Sequence, residues 1–312
     1  MALALVLGGC SPHGTTPSGA PTRPFSDADV RLVQVDALQR PDFHFEMLRL
    51  SGSTQKPAVT MRRPLRVETL KTERVLLFVP GYATGVAHGA AEAASIARIV
   101  GKHTAVVLAH WGSRGKKSSY RRDSILAARN ATAFGHALEY VRRMLPKAEI
   151  DIFAHSMGGR VAVRGLAQTL KDGHPVAVRH LVLAAPDVVI ADYLSLMRQA
   201  ASVGRATIYV SRRDRALLLS AALHLHHRLG QVAVERLNFP RTDIIDVSAE
   251  DRSPDGHGYA LHDPSILNDI DQVISGAAAP HRQWCESKLY AGVWVFVPAA
   301  RRISPALARC KE

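Results

Sequence analysis

EIDIFAHSMGGRVAVRGLA, residues 149–167, runs from a short apolar segment through one serine set among small residues into a stretch of helical composition. The order strand, tight turn, helix bends the backbone sharply at Ser156. Such a bend tolerates only small side chains two positions before and two positions after the serine. Ala154 and Gly158 meet that demand, with alanine where glycine is more usual. A serine that only capped a helix would need neither the preceding strand nor the small flanks. The stretch therefore reads as a nucleophile elbow, with Ser156 as the candidate nucleophile.

Outward from this segment, apolar runs alternate with helical stretches, the pattern of a mostly parallel, doubly wound α/β sheet with helices on both faces. The expected strands are RVLLFVPGY (74–82), HTAVVLAHW (103–111), AEIDIFAHS (148–156), RHLVLAAPD (179–187), RATIYVSRRD (205–214) and RTDIIDVSAED (241–251). AHGAAEAASIARIVG (87–101) and RDSILAARNATAFGHALEYVRRML (122–145) carry the helical composition between them. Segments 30–48 and 58–70 read as antiparallel strands at an edge. With 312 residues, 47% of them hydrophobic, the chain can bury one large core, and residues 25–312 are expected to form a single domain. No apolar run reaches the roughly 18 residues of a membrane span.

The first ten residues, MALALVLGGC, resemble the end of a bacterial lipoprotein signal peptide, although they lack a positive leading region. On that reading Leu7, Gly8 and Gly9 precede the cleavage and Cys10 carries the lipid. SPHGTTPSGAPTRP (11–24) then serves as a flexible tether, rich in Ser, Thr, Pro and Gly. Residues 1–24 fall outside the fold, and the expected location is the bacterial cell envelope, anchored to the membrane and facing the periplasm or exterior. The alternative is a plain N-terminus with an incidental cysteine on a cytoplasmic protein. Cys285 and Cys310 remain as an even pair that an exported chain would join, or else two unpaired buried thiols. No cysteine or histidine spacing suits zinc, and no metal is expected.

A serine hydroxyl needs a histidine to take its proton and a carboxylate to orient that imidazole. In a sheet of this kind both follow the serine, in the order acid then base, on loops at the C-terminal ends of strands. Asp214 follows the second strand after the elbow and leads. Asp187 follows the first and stands in reserve, or simply lines its loop. Fifteen histidines compete for the base. His257, in SPDGHGYALHDPSILNDI (253–270), sits between glycines beyond the last expected strand and is the choice. His262 suits a cap or surface position, and His155 is expected to face away from the serine. His224, His226 and His227 have no carboxylate at helical spacing and read as a solvated helix face. Two backbone amides should hold an oxyanion. Met157 supplies one, and Tyr82 in FVPGYATG (78–85) the other, with Ala83 next in line.

These stretches together resemble a bacterial α/β-hydrolase family catalogued as a domain of unknown function, the nine-hundredth in its series. The resemblance rests on LLFVPGY, on HWGSRGKKSSYRRDSILAAR with its Trp-x-Ser-x-Gly and later Tyr-x-x-Asp, on AHSMGGRV, APD and SRRDRALLLS, and on GHGYALHDPSILNDI. They span about residues 70–275. The resemblance implies an α/β-hydrolase fold, with Ser156, Asp214 and His257 as the triad. Pro80 in place of an expected histidine and Gly112 in place of a proline depart from the pattern and bear on substrate fit. The implied reaction is acyl transfer to water without cofactor, a small-molecule or lipid carboxylic ester being the default substrate. A different class stays open: a catalytically silent binding or assembly lipoprotein of the envelope on the same fold.

Forty Lys and Arg against 27 Asp and Glu give a net charge of +13. Arg114, Lys116, Lys117, Arg121 and Arg122 crowd the segment after HTAVVLAHW, expected as a loop on the same edge as the elbow. They either meet anionic lipid headgroups or an acidic substrate, or form a solvated loop on a basic protein. No aromatic-interleaved patch, zinc finger or recognition helix accompanies the charge, so nucleic acid is not expected.

Overall fold

A computed structural model describes residues 28–37, 42–101, 103–231, 239–250, 255–276, 284–290, 292–297 and 308–310. Cys10 and the tether lie outside the described residues. The strands are β1 (Ala28–Val35), β2 (Phe43–Gly52), β3 (Pro57–Pro64), β4 (Arg74–Val79), β5 (Thr104–His110), β6 (Glu149–His155), β7 (Val178–Ala184), β8 (Val203–Val210), β9 (Thr242–Asp246), β10 (Trp284–Ser287), β11 (Val293–Phe296) and β12 (Ala308–Arg309). The helices are α1 (Val86–Ala97), α2 (Tyr120–Met144), α3 (Gly158–Lys171), α4 (Ile190–Gln199), α5 (Arg215–His224), α6 (Tyr259–His262) and α7 (Pro264–Ile274). All described strands join one sheet in the order β12-β10-β11-β9-β8-β7-β6-β4-β5-β1-β2-β3.

The centre of that sheet is parallel, from β1 through β5, β4, β6, β7, β8 and β9 to β11. Its strands read as continuous apolar runs because both faces are covered. In β4, Val75, Leu77 and Val79 enter one core with residues of α2, α3 and α4, while Leu76 and Phe78 enter a second core with α1 and α7. The fold class is therefore the doubly wound α/β sheet expected from the sequence. Asp151 is the polar exception inside β6. It accepts hydrogen bonds from the His180 amide and, through the other strand's ring, from Nδ1, both at 3.1 Å, so its buried carboxylate keeps partners.

β1, β2 and β3 pair antiparallel at one edge of the sheet, as expected of segment 30–48 and the start of 58–70, and β1 also pairs parallel with β5. Two expectations are corrected. Segment 58–70 is not strand throughout: β3 ends at Pro64, which has no N–H for a further ladder bond, and a 3₁₀ turn covers Val67–Thr69. The basic group 114–122 is not all loop, because α2 begins at Tyr120 and takes Arg121 and Arg122 into its first turn. The sheet also continues past β9, through β11, β10 and β12, which the sequence reading did not anticipate.

Cys285 of β10 and Cys310, just after β12, form a disulfide across 25 positions of chain. β10 and β12 pair through two residues each, so their ladder alone restrains little. Closing a loop of that length should stabilise the folded chain by about 3 kcal/mol through the entropy of the unfolded state. Replacing both cysteines by serine should accordingly lower Tm by several degrees in a calorimetric scan, and an unchanged Tm would show that this end adds nothing to stability.

Candidate active site

β6 ends at His155, and α3 begins at Gly158, leaving Ser156 and Met157 to make the turn. Ser156 has φ +53°, in the left-handed region that costs a non-glycine residue about 1–3 kcal/mol. Two hydrogen bonds hold it there: its amide donates to Ala184 O at 2.9 Å, and its carbonyl accepts from the Asp187 amide at 3.0 Å. The expected need for small flanks has a visible cause. A Cβ at Gly158 would stand 2.4 Å from Val79 O, because the helix start presses on the end of β4.

Ser156 Oγ lies 2.7 Å from His257 Nε2, and His257 Nδ1 lies 2.7 Å from Asp214 Oδ2. The carboxylate only accepts, so Nδ1 carries the proton and Nε2 is free to accept from the serine. Asp214 comes from the end of β8 and caps α5, its Oδ1 accepting from the Leu217 amide at 2.9 Å. One carboxylate oxygen thus anchors a helix while the other orients the imidazole. His257 reaches the site from a loop whose amide donates to Asp255 Oδ1 at 3.1 Å. Gly256 in that loop has φ +72°, and a Cβ there would fall 2.1 Å from Arg213 O, so the base and acid loops touch backbone to backbone.

Burial raises the Asp214 carboxyl above its usual range, and its hydrogen bond to His257 pulls it part of the way back. Burial pushes the His257 imidazolium down, but the Asp214 carboxylate outweighs that and holds the ring above its usual 6.5. The ring of His155, expected to face away from the serine, meets the loop that carries the base. His155 Nε2 donates to the backbone carbonyl of His257 at 3.1 Å, and the two rings meet tilted by 49° with centres 5.0 Å apart. Burial, then the His257 charge, lowers His155 to about 3, so it stays neutral beneath the base.

Asp187 makes no hydrogen bond to the imidazole, whose Nδ1 meets Asp214. Burial alone would raise Asp187, but the Arg160 and Arg228 guanidiniums hold it below the usual range. Arg160 Nη2 donates to its Oδ2 at 2.6 Å, and Ser220 Oγ donates to its Oδ1 at 2.7 Å. The reserve acid is spent on buried arginines. His262 ends α6 and is exposed. The other histidine expectation is corrected: α5 stops at His224 with Leu225 left-handed at φ +56°, so His226 and His227 lie beyond the helix. Among the described residues no group of His, Cys, Asp and Glu suits a metal ion.

The segment after β4, which carries the Tyr82 and Ala83 amides, packs against the elbow: a Cβ on Gly81 would stand 3.1 Å from Ser156 Cβ. Ala83 is the poorer donor because its amide already faces Asp123 Oδ2 at 3.4 Å. This segment is held almost atom by atom. Trp111 Nε1 donates to Pro80 O at 2.7 Å, Ser113 Oγ accepts from the Thr84 amide at 3.2 Å and donates to Asp123 Oδ2 at 2.7 Å, and Ala83 itself is left-handed at φ +59°. Tyr82 packs edge-on to Tyr120, 5.3 Å between ring centres. The Trp-x-Ser-x-Gly and Tyr-x-x-Asp stretches quoted above contain Trp111, Ser113, Tyr120 and Asp123, to which the sequence reading gave no task. Tyr259 was missed as well: its hydroxyl donates to Tyr209 O at 2.8 Å and accepts from the Ala185 amide at 2.9 Å, tying the loop after His257 to β7 and β8.

Among solved structures, the chain is similar to Aspergillus fumigatus lipase B at 14% identity and TM-score 0.43, over 67% of this chain and 54% of the lipase. It is similar to a Trichoderma reesei cutinase at 13% identity and TM-score 0.27, over 37% of this chain and 52% of the cutinase. It is similar to esterases from Rhizomucor miehei at 12% identity and TM-score 0.45, over 81% of this chain and 85% of the esterase. The chain thus spans about half the length of the lipase and of the cutinase. No curated protein matches it. Residues 59–275 match the family model described as an alpha/beta hydrolase of unknown function, DUF900, and the chain belongs to that family.

Proposed function

We propose that the protein is a serine hydrolase that cleaves carboxylic esters through an acyl-enzyme. The observation that carries this reading is the unbroken run of two 2.7 Å contacts from Ser156 Oγ through His257 to Asp214. Ser156 Oγ attacks the substrate carbonyl as its proton passes to His257 Nε2, and Asp214 stabilises the imidazolium that forms. The amides of Tyr82 and Met157 donate to the oxyanion of the tetrahedral intermediate. His257 returns the proton to the leaving alkoxide as the ester C–O bond breaks. Water then attacks the acyl-serine, giving its proton to His257, and the carboxylic acid leaves as Ser156 regains its hydrogen. No step calls for a cofactor.

An ester is the substrate of choice because an alkoxide departs with one proton from His257, without the poorer leaving group of an amide. We place the protein at the cell envelope, tethered through a lipid on Cys10, with the Cys285–Cys310 disulfide in support, since such bonds persist in oxidising compartments.

A fluorophosphonate probe should label the native chain and not Ser156→Ala; equal labelling of both, or of neither, would remove the enzyme reading and leave the silent binding protein. The base must be neutral to accept a proton, so kcat/KM should decline towards acid with a midpoint above pH 6.5, where the Asp214 carboxylate holds His257. Asp214→Asn should shift that midpoint down and lower kcat on the order of 10⁴-fold. Asp187→Asn should instead lower Tm, by leaving the Arg160 and Arg228 guanidiniums without a counter-charge, and should lower the pH midpoint less than Asp214→Asn does; the reverse pattern would exchange the two acids. Asp123→Ala frees the Ala83 amide and Ser113, and should lower kcat by roughly 10²-fold with KM little changed, whereas a rise in KM alone would remove its positioning role.

A further inference from the structure

Beside the site, α2, α3 and the segment after α5 enclose a cleft of about 380 Å³ with a valine floor and arginine walls. Among the described residues its lining arginines, Arg129, Arg160, Arg164 and Arg228, outnumber its lining carboxylate, Asp192, which Arg164 meets at 3.2 Å. Arg160 takes the well-aligned contacts of Asp187, through Nη2 to Oδ2 at 2.6 Å and Nε to the backbone oxygen at 2.7 Å. Arg228 Nε is left 3.2 Å from Oδ1, out of line for a hydrogen bond, while Ser220 already occupies that oxygen. Arg228 is 2% exposed. A buried guanidinium sharing one carboxylate with a second guanidinium is costly, and the cleft it lines is where an acceptor can reach it. Arg129 stands on the opposite wall and is exposed.

The mouth of this cleft adjoins an apolar face. Leu218, Leu219 and Leu223 on α5 are 58%, 50% and 60% exposed, Leu225 at its end is 88% exposed, and Ile125 on α2 is 55% exposed. Ile125 and His226, the neighbour of Leu225, both line the cleft, so the end of α5 and the arginines share one rim. Single exposed leucines are ordinary, but several large apolar side chains exposed beside one cleft are not. Arg122, Ile125 and Arg129 recur at helical spacing along one exposed side of α2, mixing cation with apolar side chain.

We infer that this rim seats on an anionic phospholipid bilayer, with a lipid phosphate in the arginine cleft and the α5 leucines in the acyl boundary. A bilayer supplies both requirements together, anionic oxygen at the depth of Arg228 and Arg129 and hydrocarbon just beyond it. A second copy of the chain fits poorly, because it would bring another net charge of +13 to a basic rim. Asp214 caps the start of α5 and α2 starts at Tyr120, both at the serine's edge of the sheet, so a seated bilayer meets the mouth of the site. That last consequence rests on the hydrolase reading; the docking does not.

The test uses the full-length chain carrying Cys10→Ser, so that no attached lipid contributes, and the same chain carrying Ser156→Ala. Each is sedimented with phosphatidylcholine vesicles, with or without phosphatidylglycerol. Both should bind only the anionic vesicles, whatever the state of catalysis. Arg129→Glu should weaken binding roughly thirtyfold, since it changes the rim by two charges. Leu223→Ser with Leu225→Ser should abolish the binding that survives in high salt. These side chains are exposed, so Tm should not move. Equal binding to both vesicles, binding to neither, or full retention by the variants overturns the proposal. Titration of inorganic phosphate into the chain without vesicle binding overturns it in favour of a free anion. A dimer lost in the leucine variant without vesicle binding overturns it in favour of a contact between copies.

Discussion

The left-handed backbone at Ser156 is held from the next strand: Ala184 accepts its amide proton and Asp187 donates to its carbonyl. Every distance in the site follows from that hold. Were the turn to relax, Oγ would leave the imidazole. The strain persists because the sheet on either side is over-determined by two buried cores. The same logic recurs one strand away on each side. Ala83 after β4 and Ala185 after β7 are also left-handed without being glycine, at φ +59° and +46°. Three strained residues at adjacent strand ends mark a single edge of the sheet where the backbone is bent.

Two aspartates at that edge show how surroundings divide labour between like residues. Both are buried at loops following neighbouring strands. Asp214 meets one imidazole and one helix amide, so its charge is available to a proton that moves. Asp187 meets two guanidiniums and two hydroxyls, which fix its charge permanently. Sequence order alone favoured Asp214, and the arginines supply the physical reason: Arg160 lies four residues after the serine and turns inward.

The sheet was readable because its central strands are long, apolar and separated by helices of ordinary length. Ser156, Asp214 and His257 were readable as a set because each follows such a strand, and the structure brings the three together. Other features left weaker traces. β10, β11 and β12 span two to four residues, too short for any periodicity to stand out. His155 meets the carbonyl of a residue 102 positions later, a contact that no local pattern encodes. Arg160 looks like a surface residue of an amphipathic helix until Asp187 is placed beside it. Ser113 and Asp123 were visible as a motif, but their task depends on the left-handed Ala83, which the letters PGYATG do not announce.

The outermost strands carry a consequence for how the protein behaves when crowded. β3 begins and ends with proline and exposes Arg62 and Arg63. β12 at the opposite end spans two residues beside a covalent link. A strand from another molecule adding to β3 would meet missing amide donors and repelling guanidiniums, and at β12 it would find almost no ladder to extend. Among the described residues, both ends of the twelve-stranded sheet are thereby guarded against fibril-like polymerisation, a hazard that so long an open sheet would otherwise carry into concentrated solution.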